Sequence, residues 1–382
     1  MPRTVGSLLL FTSLVGCTLE FLPPDEQTDG GTDIDTDTDT DTDTDTEEQP
    51  TAGVDLLIAV DNSGSMQHEQ AILAQEIYAL VEGLAGDVDE VRVAVLSSDL
   101  GLSWGGNPYQ TGDGWPGGLP SSCDSVGDEG RFMTYGGSKT ITLDDEEYDC
   151  PTLSAHWAET PSGDPIADNP ELPGQAACLT SLGTSGCGWE QPLQSVAIGI
   201  NRTDQANFHH DDHLLVVIVV SDEDDCSIEF NGLFGVDEIQ NSDENRVHLA
   251  CGNHPEFLFS AIDFPDQYAA PKEGSPYAVL FAAIVGVPIG EACQGRGDAI
   301  SDCLDHSDMQ LVEVLDSDAY VFEPACDRYE ESELVTKATP GRRFVELAVE
   351  YMDNGLVYSI CNKNWTEAMD GIAEMISEEL DE

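Results

Sequence analysis

Five short, mainly apolar runs mark the strands of this sequence. The longest is LLVVIVV at 214–220, and the others lie at 54–60, 91–96, 278–287 and 356–360. Strands that are apolar nearly throughout are typical of a parallel sheet that is covered on both faces. We therefore predict five strands of one such sheet, and the β-branched run at 214–220 should form its centre.

Stripes of apolar residues at helical spacing separate or follow these runs. Such stripes lie at 73–84, at 193–200, at 342–352 and, near the end of the chain, at 365–380. Each stripe places its apolar side chains on one face of a helix, as a helix packed on a sheet requires. Asn364 has a side chain suited to cap the last of these helices.

The order of strands and helices predicts an α/β fold at 54–382. A doubly wound, mostly parallel sheet of the Rossmann-like type, with helices on both faces, fits this order. Three stretches interrupt the pattern, near 100–182, 223–276 and 289–340, and they are mostly irregular in pattern and contain cysteines. We expect them to be long, disulfide-rich insertions in a single domain.

The N-terminus carries the features of an export signal. Arg3 supplies a positive charge, residues 8–15 include an apolar run, and Leu14-Val15-Gly16-Cys17 ends in a cysteine. These four residues resemble the lipobox of bacterial lipoproteins, in which the signal is removed and the cysteine is lipidated. The resemblance implies a signal peptide at 1–16, a lipid on Cys17, and a protein anchored in the cell envelope. We expect the outer membrane, with either its periplasmic or its outer face; an ordinary secretory signal is the alternative.

Residues 17–53 are acidic and of low complexity. Thr-Asp repeats fill 35–46, and there is no Lys or Arg between Thr18 and Gly53. Repulsion between the carboxylates and the lack of apolar side chains oppose folding of this segment. We predict a disordered acidic tether between the lipidated cysteine and the domain, rather than a calcium-binding repeat.

The charge of the whole chain excludes one class of partner. There are 75 Asp and Glu against 13 Lys and Arg, a formal net charge of -62. A chain this acidic repels phosphate backbones, and its few basic residues form no stripe. We expect no nucleic-acid partner, and contact with a membrane only through the lipid.

The cysteine count indicates an oxidising compartment. Eleven cysteines are present, and assigning Cys17 to the lipid leaves ten, an even number. Sequence alone does not fix their pairing, but short loops favour neighbouring partners. The expected pairs are Cys123 with Cys150, Cys178 with Cys187, Cys226 with Cys251, Cys293 with Cys303, and Cys326 with Cys361.

Oxygen-bearing side chains follow two of the predicted strands. Asp61, Ser63 and Ser65 come directly after the first strand, with Gly64 as the turn, and Asp222 comes shortly after the central strand. Ligands of open α/β sheets bind at the carboxyl ends of the strands. Carboxylates and hydroxyls are hard ligands that suit Mg²⁺, Ca²⁺ or Mn²⁺ better than zinc.

The pattern Asp61-x-Ser63-x-Ser65 after VDLLIAV resembles the von Willebrand factor type A domain with its metal-ion-dependent adhesion site. In that family a threonine from a later loop and an aspartate after the central strand complete the site. The resemblance implies Thr184 and Asp222 in these roles, with Ser185 as the alternative to the threonine. It implies Mg²⁺ as the ion, with Ca²⁺ and Mn²⁺ as alternatives. The chain departs from the family in having Ser-Asp-Glu at 221–223, where Thr-Asp-Gly is commoner.

The resemblance implies binding rather than catalysis. We expect a cell-envelope lipoprotein that is not an enzyme and whose partner, a protein or surface ligand, offers a carboxylate to the metal. Two alternatives stay open: a secreted or envelope hydrolase that uses residues of the insertions, and a structural surface protein whose motif holds no metal.

Two further groups carry weaker signals. The segment His209-His210-Asp211-Asp212-His213 contains zinc ligands, but it precedes the central strand, at the end opposite the metal loops. We expect a solvated loop there. Residues 223–225, Glu-Asp-Asp, are expected to be a solvated acidic run rather than a second calcium site.

Overall fold

The structure is a computed structural model of the 382-residue chain. The predicted signal peptide at 1–16, Cys17 and the predicted tether up to residue 52 lie outside the residues that it describes. The described residues are 53–84, 88–105, 123, 126–136, 138–160, 169–240, 246–272, 278–290, 292–317 and 319–381.

Strands and helices alternate through the first and last parts of the domain. The strands are β1 Gly53–Val60, β2 Glu90–Ser97, β3 Thr140–Leu143, β4 Glu146–Asp149, β5 Ala158–Glu159, β6 His213–Val220, β7 Val279–Val285, β8 Gly295–Arg296, β9 Glu313–Asp316, β10 Ala319–Phe322, β11 Cys326–Glu330, β12 Glu333–Ala338 and β13 Gly355–Ser359. The helices are α1 Gln67–Gly83, α2 Leu172–Thr180, α3 Pro192–Ile200, α4 Asp237–Gln240, α5 Ala250–Asn253, α6 Phe264–Ala269, α7 Arg342–Glu350 and α8 Thr366–Leu380. No helix in this described part of the chain is long and apolar enough to cross a membrane.

One seven-stranded sheet organises the domain. Its strand order is β5-β2-β1-β6-β7-β13-β8. The five inner strands are parallel, and the short edge strands β5 and β8 are antiparallel to their neighbours. All five predicted strands are confirmed, and β6 is the central strand as its uninterrupted apolar sequence predicted.

Helices cover both faces of the sheet, which confirms the doubly wound α/β class. Alternate side chains of β1 point to opposite faces. Leu56 and Ile58 belong to a core with α1, α2 and α8, whereas Leu57 and Ala59 belong to a core with α3, α6 and α7. Because all four side chains are fully buried, β1 has no solvated face.

The four predicted helices are present, but the cap expected for the last one is wrong. Helix α8 begins at Thr366, and no side chain of the preceding residue caps it. Glu76 of α1 takes that role, since its carboxylate accepts hydrogen bonds from the N–H of Trp365, at 3.0 Å, and from the Thr366 hydroxyl. The cap therefore comes from a neighbouring helix and not from Asn364.

The stretch 100–182 is more regular than its composition predicted. Its last part forms the buried helix α2, which packs in the core beside α1, and strand β5 pairs with β2 at the edge of the sheet. A hairpin of β3 and β4 lies between β2 and β5 in the sequence. The prediction of an irregular insertion is wrong for these segments, because the nine residues of α2 are too few to show a clear stripe beside Pro173 and Gly174.

Five disulfides connect the ten cysteines expected to pair. Three predicted pairs are confirmed: Cys226–Cys251, Cys293–Cys303 and Cys326–Cys361. The other two predicted pairs are wrong, because the structure pairs Cys123 with Cys187 and Cys150 with Cys178. Proximity in sequence failed as a guide there because strand β5 and helix α2 lie between Cys150 and Cys187 and return the chain to the sheet. Cys187 then lies beside Cys123.

Candidate metal centre

The loops after β1 and β6 meet at the carboxyl edge of the sheet. The register of the two parallel strands pairs Val60 with Val220, and the N–H of Asp61 donates to the carbonyl oxygen of Val220 at 3.0 Å. The first residues beyond each strand are therefore level with each other. This register is what brings Asp61 and Asp222 to the same part of the molecule.

Two hydrogen bonds orient the carboxylate of Asp61. Its Oδ1 accepts from the N–H of Ser63 at 2.8 Å, and its Oδ2 accepts from the hydroxyl of Ser221 at 2.7 Å. The hydroxyls of Ser63 and Ser65 lie 3.1 Å apart. Of the predicted ligands, Asp61, Ser63 and Ser65 thus form one compact group with Ser221, which closes the group from the β6 side.

Buried oxygens without hydrogen bonds surround this group. Among the described residues, Oδ1 of Asp222, Oδ1 of Asn62 and Oε1 of Glu190 have no hydrogen-bond partner. Leaving such an acceptor buried and unpaired costs about 1 to 3 kcal/mol. A divalent cation would satisfy acceptors of this kind, and the oxygen-only donor set suits Mg²⁺, Ca²⁺ or Mn²⁺. The residues present therefore fit the ion that the sequence predicts.

Crowded negative charge shifts the acidity of the site. Burial raises the pKa of Asp61, although hydrogen bonds from Ser63 and Ser221 oppose the shift. Burial and the neighbouring carboxylates of Asp61 and Glu223 raise the pKa of Asp222 well above its usual value. Without a cation, this edge of the sheet disfavours full ionisation of its carboxyl groups.

The loop that carries Thr184 lies against the loop of Asp61. The N–H of Gly186 donates to the carbonyl oxygen of Asn62 at 2.9 Å, and a β-carbon on Gly186 would lie only 2.1 Å from the Asn62 side chain. Thr184 is half-buried and Ser185 is exposed. The Thr184 hydroxyl forms no hydrogen bond with the other described residues, so its role as a ligand stays a prediction.

Glu190 is a site residue that the sequence analysis missed. It is almost completely buried, its carboxylate accepts a hydrogen bond from the hydroxyl of Ser98, and burial together with the nearby Asp61 raises its pKa well above the usual value. Glu190 reaches the site from the segment before α3. No spacing relative to Asp61 identifies it in the sequence.

Residues 223–225 are not the solvated run that was expected. Asp225 is buried and pairs with Arg343, whose Nε lies 3.0 Å from Oδ2, and it accepts from the N–H of Leu193 in the first turn of α3. Burial raises the pKa of Glu223 to about 8 and that of Asp224 to about 7. These carboxylates are part of the structure that supports the site.

A cavity of about 110 Å³ opens beside the predicted ligands. Acidic and apolar groups both line it. Its lining includes Glu190, Glu223, Asp224, Trp189, Phe322 and Arg343. Glu223 follows Asp222 directly in the sequence, but none of the five predicted ligands lines the cavity.

A second group of potential metal ligands lies at the opposite edge of the sheet. Glu90, His210 and His213 each offer one ligand atom, and these three atoms lie within 4.8 Å of one another. His213 is only 3% exposed, and its Nδ1 lies 2.9 Å from the buried carboxylate of Asp55. The expectation of a solvated loop is therefore wrong for His213, whose partner Asp55 lies within the first predicted strand.

Comparison with known proteins gives only distant likenesses. No protein-family model matches the chain, and no curated protein matches it. Solved structures that resemble it include the conserved hypothetical protein BatB from Bacteroides thetaiotaomicron, with 12% identity, a TM-score of 0.34, and coverage of 86% of this chain and 100% of that one. A pilus adhesin, SpaC from Lactobacillus rhamnosus GG in an open conformation, has 11% identity and a TM-score of 0.35, covering 87% of this chain.

This chain spans 30% of the length of the SpaC chain. An aerotolerance-related membrane protein from Bacteroides fragilis NCTC 9343, carrying multiple mutations to serines, has 12% identity and a TM-score of 0.29, with coverage of 85% of this chain and 100% of that one. Likeness at this level assigns neither a family nor a function. Only the residues of the site itself bear on the function.

Proposed function

We propose that this protein is a cell-envelope lipoprotein that binds a protein or surface ligand through a divalent metal ion, in a domain of the von Willebrand factor A type. The predicted ligands of the ion are Asp61, Ser63, Ser65, Thr184 and Asp222, and Mg²⁺ is the expected ion. One observation carries the proposal: two buried carboxylates from neighbouring parallel strands meet beside a serine pair, and one of their oxygens, Oδ1 of Asp222, has no partner among the described residues.

The residues of the chain prepare the site before any ligand arrives. Ser221 and the backbone of Ser63 fix the carboxylate of Asp61, so that its orientation costs no further ordering on binding. When bound, the ion would supply a coordination position for a carboxylate oxygen of the ligand. No bond of the ligand is made or broken in this process, so we propose a binding protein and not an enzyme.

The acidic surroundings restrict the ligand. The chain carries a formal net charge of -62, which repels strongly anionic ligands. We therefore propose a ligand that presents one isolated carboxylate rather than an acidic cluster. The proposed location in the envelope rests on the lipobox at 14–17 and agrees with five disulfides, which persist in oxidising compartments.

Immobilised peptides test this function directly. One set carries a single Asp or Glu, and a matched set carries Asn or Gln at the same position. We expect the full chain to bind members of the acidic set in Mg²⁺, to release them in EDTA, and to lose this binding in Asp222→Ala. Equal binding of the acidic and amide peptides, or binding that persists in EDTA, would contradict the proposal.

A further inference from the structure

The amino-terminal edge of the sheet brings three side chains together across three neighbouring strands. The register of the parallel strands places Gly53 of β1 between Glu90 of β2 and His213 of β6. Residues that are in register on neighbouring strands lie on the same face of the sheet, so the side chains of Glu90 and His213 share one face. Glu90 and His213 are thus separated by one position that has no side chain.

The glycine at that position leaves the space in which the other two side chains meet. A β-carbon on Gly53 would lie 2.1 Å from Cδ2 and 2.2 Å from Nε2 of the His213 ring. The ring therefore lies directly over the backbone of β1. From there Nε2 is 3.9 Å from Oε2 of Glu90 and 3.2 Å from Nδ1 of His210.

Asp55 determines which nitrogen of His213 faces this space. Its carboxylate is fully buried and lies 2.9 Å from Nδ1 of His213. Because a carboxylate accepts hydrogen bonds, this contact favours a proton on Nδ1. Nε2 is then the nitrogen with the free lone pair. A carboxylate behind a histidine in this way is the usual arrangement that orients a histidine ligand of zinc.

Two further contacts hold the frame. The other oxygen of Asp55 accepts from the N–H of His210 at 3.0 Å, so the same carboxylate positions both histidines. Lys272 lies with its Nζ 3.5 Å from Asp55 and balances its buried charge. Arg92 pairs with Oε1 of Glu90 at 3.1 Å, which leaves Oε2 as the oxygen that faces the histidines.

We propose that Glu90, His210 and His213 bind a transition-metal ion of the zinc class, separate from the divalent ion at the opposite edge of the sheet. Imidazole nitrogen and carboxylate oxygen are zinc ligands, with bonds of about 2.0 to 2.2 Å, so ligand atoms of a tetrahedral site lie about 3.3 Å apart. The distance of 3.2 Å between the two ring nitrogens matches that spacing, and a small movement of Glu90 would complete it. Three protein ligands leave one position for water. The ion would tie the segment before β6 to the first residues of β2.

A zinc titration of the full chain tests the site. The protein is first stripped of metal with EDTA, dialysed, and supplied with saturating Mg²⁺ to fill the oxygen site at the carboxyl edge. Calorimetry with Zn²⁺ and visible absorption with Co²⁺ then report on the nitrogen-containing site. We expect one Zn²⁺ per chain and a tetrahedral Co²⁺ spectrum, with affinity at least tenfold lower in His210→Gln and in Glu90→Gln.

His254→Gln is the matched control. His254 also lies between carboxylates, with contacts to Glu238 at 3.1 Å and Glu256 at 3.3 Å, but it belongs to a different part of the chain. We expect this variant to bind Zn²⁺ as the unmodified chain does. Circular dichroism checks the fold of each variant, and both substituted ligands lie only partly buried, where folding tolerates a change.

Three results would overturn the proposal. The first is the absence of saturable Zn²⁺ binding in the presence of Mg²⁺. The second is an unchanged Zn²⁺ affinity in folded His210→Gln and Glu90→Gln, and the third is an equal loss of Zn²⁺ affinity in His254→Gln. The contact between His210 and His213 would then be an ordinary hydrogen bond between the two rings. None of these results bears on Mg²⁺ binding at Asp61, so the two sites are tested independently.

Discussion

The side-chain amide of Gln70 forms two hydrogen bonds with the backbone of Gly183, 113 residues further along the chain. It donates to the carbonyl oxygen and accepts from the N–H, both at 2.9 Å, and it also donates to the carbonyl oxygen of Asp61 at 2.9 Å. One buried side chain in α1 therefore connects the loop of Asp61 to the loop of Thr184. The two halves of the proposed metal centre are held together by this residue.

Replacing Gln70 with Leu removes all three hydrogen bonds at nearly constant volume. The buried carbonyl oxygen of Asp61 would lose its partner, whereas the exposed Gly183 can bond to water, and we expect the free energy of unfolding to fall by about 1 to 3 kcal/mol. Affinity for Mg²⁺ should fall as well, because the Thr184 loop is released. Urea unfolding and calorimetry measure the two effects. Gln75→Leu, on an exposed part of the same helix, should change stability by less than about 0.5 kcal/mol; an equal effect of both variants would contradict this role.

Substitutions of Thr184 and of its neighbour Ser185 show which of the two residues is a metal ligand and which is an ordinary loop residue. If the hydroxyl of Thr184 coordinates the ion, Thr184→Val should weaken Mg²⁺ binding about tenfold, equivalent to about 1.4 kcal/mol. Thr184→Ser keeps the hydroxyl and should bind nearly as the unmodified chain does. Ser185→Ala should have no effect, since Ser185 is the exposed residue of the two. Loss of binding in Ser185→Ala alone would reassign the ligand.

The disulfide between Cys123 and Cys187 connects the first insertion to the Thr184 loop. Its partners are 64 residues apart in sequence, whereas Cys293 and Cys303 are 10 apart. Loop entropy predicts that Cys123→Ser with Cys187→Ser costs about 4 kcal/mol of stability, against about 3 kcal/mol for Cys293→Ser with Cys303→Ser. Only the first pair of substitutions should also reduce Mg²⁺ affinity. Thermal unfolding and calorimetry compare the two, and a reduction of affinity by the second pair would contradict the assignment.

The ion pair of Arg343 and Asp225 supports the segment after Asp222. Because Asp225 is buried and also binds the first turn of α3, Arg343→Ala leaves an uncompensated charge and should cost about 3 kcal/mol. Arg202→Ala breaks the more exposed pair with Asp204, where solvent screens the charges, and should cost clearly less. Urea unfolding measures both. Similar costs for the two variants would show that the Arg343 pair is not structurally important.

The strands and the positions of the loops that carry Asp61 and Asp222 could be predicted because each depends on local pattern. Burial on both faces makes β6 apolar throughout, and parallel pairing then places the ends of β1 and β6 at one edge of the sheet. The hydroxyl and carboxylate spacing of 61–65 is likewise local. For these features, the local sequence pattern determines where the residues lie in the fold.

Features that depend on the packing of distant segments could not be predicted in this way. Glu190 enters the site from the segment before α3, and Gln70 reaches Gly183 across the domain. Neither contact follows from a fixed spacing in the sequence. The pairing of Cys123 with Cys187 follows the path of the insertion rather than the shortest loop. Asp55 is a charged residue within an apolar strand, and only the register with β6 shows that it holds His213.

Calorimetric titration of Mg²⁺ into the full chain shows whether Asp61 belongs to a site for a divalent metal ion. The unmodified chain is compared with Asp61→Ala and with the control Asp89→Ala, which removes an exposed carboxylate away from the site. The salt concentration is chosen to suppress diffuse binding to the acidic surface. We expect saturable one-site binding that is retained in Asp89→Ala, removed by EDTA and absent in Asp61→Ala. Identical weak titrations of all three proteins would contradict it.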